Sequence, residues 1–73
     1  MIDRRTDSIL RLGEVRARTG LSTATIYRRE GAGTFPNRIR LGAKMVGWYA
    51  SDIGEWIADP FGYRNPARVV SDD

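Results

Sequence analysis

Nine residues of this 73-residue chain have types and spacing suited to contacting another molecule. Six lie within Ser22-Thr23-Ala24-Thr25-Ile26-Tyr27-Arg28, and three, Arg38, Arg40 and Lys44, follow within the next 16 residues. The first group reads as the start of a helix. Ser22 is a good N-cap, because its hydroxyl accepts from the unpaired N–H groups of the first turn. Ile26 is the one aliphatic side chain beyond that turn and so the natural anchor into a core. With Ile26 inward, Ala24, Tyr27, Arg28 and Gly31 recur at i, i+3, i+4 and i+7 on the outward face, flanked by Thr23 and Thr25. Small hydroxyls, a phenol and a guanidinium on one exposed face can hydrogen-bond phosphates and base edges in the major groove of a duplex. The chemistry is recognition, not bond making.

Charge partition points the same way. Arg4 to Lys44 contains 10 basic and 3 acidic residues, whereas Met45 to Asp73 contains 2 basic and 5 acidic. Clustered cations favour a polyanion through counterion release and steered encounter. A solvated basic surface is the plainer reading of charge alone, and the placement of these cations on a helix face and a hairpin favours DNA over it. The chain has neither cysteine nor histidine, so disulfides, thiolate metal sites and the commonest general base are absent. Asp52 and Glu55 stand three apart at a helix start, which matches the helix dipole better than acid–base or metal chemistry. No nucleophile–base pair or phosphate loop is present, so no enzyme, no metal and no cofactor are expected.

The supporting elements follow from local pattern. Met1–Ser8 is polar and expected to be loosely ordered. Ile9-Leu10-Arg11-Leu12 is an apolar patch leading to the core. Leu12, Val15 and Thr19 share helical spacing, predicting a helix over about Gly13–Arg18, with Glu14 and Arg18 at the ends the dipole favours. Gly20 suits a positive φ at its C-terminus. The second helix is predicted over Thr23–Glu30, stopped by Gly31-Ala32-Gly33. Its seating raises one difficulty: Arg29 occupies the position three after Ile26, where an apolar anchor is expected, so its stem should pack while the guanidinium reaches water.

Phe35 is expected to plug the core, and Pro36 to fix an extended exit. Arg38-Ile39-Arg40-Leu41 alternates with the period of a strand, Gly42-Ala43-Lys44 is a turn, and Met45–Tyr49 returns, making a β-hairpin. Arg38 and Arg40 should share one face of it, with Lys44 at the tip. Ser51 is a candidate N-cap for a third helix carrying Ile53, Trp56 and Ile57, ended by Asp59-Pro60. Trp48 and Trp56 are assigned to the core rather than to base stacking, because a small core needs their area. Phe61 and Tyr63 are candidates to pack back on the domain. The expected division is 1–8 loosely ordered, 9–60 folded, and 61–73 a partly disordered tail.

The fold class is therefore mainly α with a small β-hairpin (α+β): a winged helix-turn-helix in the order helix, helix, hairpin, helix. At this point the chain resembles a known family. Ile9-Leu10-Arg11-Leu12-x-Glu14-Val15, Gly20-Leu21-Ser22-x-x-Thr25-Ile26-Tyr27-Arg28, Phe35-Pro36, and Trp48 ahead of Ser51-x-Ile53-x-x-Trp56-Ile57 look like the AlpA-type regulators of prophages and integrative elements. These are relatives of excisionases and of MerR-like DNA-binding domains. Arg29-Glu30 departs from the family, which usually carries an apolar residue after Tyr-Arg, and Thr23-Ala24 stands where a longer polar or basic pair is common. The resemblance implies a sequence-specific regulator or excisionase-like factor of a mobile element, with helix two in the major groove and the wing on backbone or minor groove.

The expected DNA contacts are Ser22, Thr23, Ala24, Thr25, Tyr27, Arg28, Arg38, Arg40 and Lys44. The expected partner is double-stranded DNA. The chain is expected to be a cytoplasmic, nucleoid-associated monomer that fills sites cooperatively and does not engage a membrane. The alternative is an interaction module that docks an integrase or terminase.

Overall fold

A computed structural model describes residues 6–65. The elements are β1 (Ile9–Leu10), α1 (Leu12–Thr19), α2 (Thr23–Gly31), β2 (Ile39–Arg40), β3 (Val46–Tyr49) and α3 (Ala50–Ala58). The three strands form one antiparallel sheet in the order β1-β3-β2. Three helices on a small sheet give the α+β, winged-helix type of arrangement that the pattern predicts.

The turn between α1 and α2 forms for the expected local reasons. Gly20 takes φ 74°, and its N–H donates to the Arg16 carbonyl at 2.8 Å, closing α1. The Thr19 hydroxyl bonds the Val15 carbonyl and accepts from the Leu21 N–H. The Ser22 Oγ then accepts from the Thr25 N–H at 3.2 Å and starts α2. The helix limits lie within a residue of the expected ones, as fraying ends allow.

β1 is the first departure. Ile9 and Leu10 pair with Tyr49 and Trp48, so the apolar patch before α1 is an edge strand as well as a lead into the core. The sheet thus has three strands where the pattern gave a two-stranded wing. The second departure is the start of α3. Tyr49 is the N-cap residue, not Ser51. The capping carboxylate comes from Asp7, which accepts from the Ser51 N–H at 3.3 Å and the Ser51 hydroxyl at 2.6 Å. Ser8 adds a backbone bond to Ala50. Asp7 and Ser8, read as loosely ordered, are thus bonded to α3, while residues 1–5 lie outside those described.

Leu10, Val15, Ile26, Phe35, Trp48, Ile53 and Trp56 make the core. Both indoles are inside, as assigned, and each N–H finds a carbonyl: Trp48 bonds Pro36 at 3.1 Å and Trp56 bonds Thr34 at 3.0 Å. Phe35 meets Trp56 edge-on at 5.2 Å. Beyond α3, Asn65 is buried and bonds the Gly33 and Phe35 carbonyls through its backbone and side-chain nitrogens. Tyr63 packs against the core, but Phe61 does not pack back at all. Residues 66–73 of the expected tail lie outside those described.

Candidate nucleic-acid interface

The nine expected contact residues are all exposed or half-buried, but they form two groups with different surroundings. At the start of α2, the Ser22 Oγ donates to the Thr25 Oγ1 at 2.9 Å while accepting from the Thr25 backbone. Arg28 Nη2 reaches the same Thr25 Oγ1 at 3.4 Å, one turn along. Thr25 therefore accepts twice, which turns its own O–H outward as a donor. Thr23 and Ala24 lie in the same first turn, Ala24 exposed and Thr23 half-buried. The result is a short polar row at the positive end of the helix dipole, the place where anions bind helices.

The end of α2 is built differently. Glu30 follows Ile26 by four residues, which puts it on the buried stripe, and it is only 4% exposed. Its carboxylate accepts from the Arg38 backbone N–H at 2.6 Å and forms an ion pair with the Arg38 guanidinium. That guanidinium also lies over the Tyr27 ring, 5.0 Å from its centroid, and Tyr27 stands 6.4 Å from the Trp48 ring. Arg38 keeps 46% of its side chain in water. It is thus both an exposed cation and the strut between α2 and the hairpin.

Tyr27 is 37% exposed, with its ring between Trp48 and the Arg38 guanidinium. The expected difficulty at Arg29 is real: the residue is half-buried, and its Nε is enclosed with no hydrogen-bond partner among the described residues. Glu30 supplies the seat that Arg29 does not.

The hairpin is closed by the Leu41 N–H bond to the Met45 carbonyl at 2.8 Å. Arg40 pairs with Val46, so it shares a face with Trp48 two residues on, the face turned toward the core. Arg40 and Arg38 accordingly line one cleft with Glu30, Asn37 and Val46, between α2 and the wing. Lys44 is exposed at the hairpin bend, outside that cleft. Two contributors escaped the sequence reading. Glu30 was legible in part, because its i+4 spacing from Ile26 marks the inner face. Arg11, whose Nε donates to the Val46 carbonyl at 3.1 Å and pins α1 to the wing, had no local signal.

Residues 8–61 match the family described as "Prophage CP4-57 regulatory protein (AlpA)". The chain belongs to the AlpA family. It is 44% identical over 57 residues to the "DNA-binding transcriptional activator AlpA" of Escherichia coli K12, covering 68% of this chain and 80% of that one. It is 40% identical over 52 residues to the "Uncharacterized protein ORF88" of Enterobacteria phage P4, covering 71% of this chain and 59% of that protein. The matched family region runs from the Ser8 bond to α3 through the Phe61 turn, so it takes in both groups of site residues in this AlpA-family chain. No described helix is long and apolar enough to cross a membrane.

Proposed function

We propose that this chain is a sequence-specific double-stranded DNA-binding regulator of a prophage or integrative element. The observation that carries the reading is the Ser22–Thr25–Arg28 row at the start of α2, set beside a wing on which Arg38 and Arg40 line one cleft and Lys44 stands exposed at the bend. α2 enters the major groove, MerR-like in its docking, and its first turns meet phosphates and base edges. The wing lies on the backbone or in the adjacent minor groove, with Arg40 and Lys44 as its cations. Thr25 and Tyr27 offer hydroxyls to phosphate, and Arg28 reaches a base or phosphate one turn further on. The E. coli relative's description as a DNA-binding transcriptional activator supports this reading.

Its role is occupancy: transcriptional control, or an excisionase-like change in DNA architecture alongside an integrase. One module of this size buries only about 600–1,000 Å² on DNA, too little for tight binding alone. Repeated sites filled cooperatively by a protein that is monomeric when free meet that need.

Selection from randomised duplexes at physiological salt tests the proposal. Enrichment of a short recurring site is expected, with a log–log salt slope of roughly −3 to −4.5 for about 3–5 phosphates. No enrichment, together with affinity indifferent to salt, overturns it.

A further inference from the structure

Arg38 is held at both ends of its length. Glu30, enclosed on the inner stripe of α2, accepts from the Arg38 backbone N–H at 2.6 Å and pairs with Nη1 of its guanidinium. The guanidinium also lies over the Tyr27 ring, 5.0 Å from the centroid, and Tyr27 in turn stands beside Trp48 of the core. These contacts fix an arginine that still keeps 46% of its side chain in water. Arg28, by contrast, has one bond of 3.4 Å among the described residues.

The hold leaves part of the guanidinium free. Glu30 engages Nη1, while Nε and Nη2 meet no hydrogen-bond acceptor among the described residues. Their N–H groups run parallel along one edge of the planar fork, the edge that can serve two acceptors at once. The edge also belongs to the recognition side of α2. Ala24, Tyr27 and Arg28 are exposed together on the outward face, and the guanidinium is stacked on the middle member of that group.

Two physical arguments choose the ligand. Glu30 offsets the charge of Arg38, so a phosphate gains less from it than from an unpaired cation such as an exposed lysine. A planar fork already fixed in position loses little freedom on docking and tolerates little misplacement, which suits a pair of neutral acceptors at fixed spacing. In the major groove that pair is N7 and O6 of guanine.

We propose that Arg38 reads one guanine: its Nε–H and Nη2–H donate to N7 and O6 in the major groove, with Glu30 and Tyr27 as positioning residues. The backbone of Arg38 leads into the wing, yet its side chain works with the helix. The assignment rests on the DNA reading proposed above and adds to it a base, a groove and the residue that selects them.

The test starts from the site that the wild-type chain selects at physiological salt. Arg38→Lys keeps the charge and a partner for Glu30 but loses the fork. It is expected to select the same site except at one guanine, where discrimination falls at least about tenfold. Each guanine of the site is then replaced in turn by 7-deazaguanine, which pairs normally but lacks the N7 acceptor. At that same guanine the wild-type chain is expected to lose about fivefold or more in affinity, and Arg38→Lys less than about twofold. The loss should persist in Arg28→Ala and Arg40→Ala, which decides between the arginines should Arg38→Lys fail to fold by circular dichroism. Glu30→Gln keeps an acceptor for the backbone N–H but drops the ion pair. It should shrink the loss at that guanine and leave the other positions as they are. Uniform weakening by Arg38→Lys with every preference intact, or a deaza loss that disappears with Arg28 or Arg40 instead, overturns the assignment. A selected site in which no guanine responds removes this inference alone, whereas no selected site removes the DNA reading with it.

Discussion

The two ends of α2 use their polar groups in opposite ways. At the start, Ser22 gives its one hydroxyl proton to Thr25, and the Thr25 O–H is left to face water. At the end, Glu30 is enclosed and both its oxygens are taken by Arg38. Spare hydrogen-bonding capacity at an exposed turn is available to a ligand, whereas saturated capacity under cover holds elements together. One helix thus has an end suited to contact and an end that fixes its angle to the wing. The difference also separates two arginines: among the described residues Arg28 is held by one long bond to the Thr25 hydroxyl, and Arg38 is held by a buried carboxylate.

Breaking the second end should have the largest effect. Glu30→Ala leaves the Arg38 N–H without its acceptor and cuts the strut. A fully buried pair broken this way costs about 3–5 kcal/mol, and the half-exposed Arg38 guanidinium can turn to water, so about 2 kcal/mol is expected. That corresponds to a fall in melting temperature of roughly 10 °C, readable by circular dichroism. Glu30→Gln, which keeps an acceptor, should fall less. Melting unchanged by Glu30→Ala would erase the distinction between the ends.

Arg28→Ala should do the reverse. Under the proposed function it costs about 1–3 kcal/mol of DNA affinity, relaxes preference at one base position if it reads a base, and leaves the melting curve in place. A shifted melt with unchanged binding would move Arg28 to the structural group. Ser22→Ala sits between the two, since the cap both starts the helix and holds Thr25. About 1 kcal/mol of stability should be lost, again by thermal melting, and Ser22→Asp should recover most of it.

Lys44, exposed at the hairpin bend, gives a finer measure. Lys44→Ala should weaken all duplexes alike and make the log–log salt slope less negative by about 1, without altering the preferred site. The smallest effect is a titration outside α2. Burial, then the carboxylates of Asp52 and Glu55, push the Tyr63 phenol above its usual pKa. The folded state therefore favours the neutral phenol. Its contribution is complete below the unfolded value of about 10 and is lost as pH rises toward the folded one. Alkaline melting curves should show that decline, and Tyr63→Phe should remove it.

Much of this fold could be read locally. Gly20, the Ser22 cap, the alternation of Arg38–Leu41 and the i, i+3 spacing of Ile53 and Trp56 are each decided within a few residues, whereas Ile57, expected on the same stripe, stays exposed. The polar row on α2 was legible for the same reason, because helical spacing alone places Thr25 and Arg28 near each other. What escaped the pattern depends on distant partners. Two residues cannot announce a strand, and Ile9–Leu10 is one only because β3 lies beside it. A carboxylate at position 30 looks exposed until Arg38, eight residues on, supplies the charge that lets it be buried. Phe61 was a candidate for packing because aromatics usually bury. The Asp59–Gly62 turn holds it out instead, and a turn's direction is not written in composition.

The carboxylate at the head of α3 belongs to Asp7, 44 residues upstream of the serine it holds. The N-terminal strand and the last helix are therefore laced together by an anion that precedes both. Shortening the protein to begin at its first sheet residue would strip that helix of its electrostatic stopper and loosen the pairing of Ile9 with Tyr49 at one stroke. Fusion partners attached close to Asp7 would strain the same knot, so a long, pliant spacer ahead of it is the safer choice.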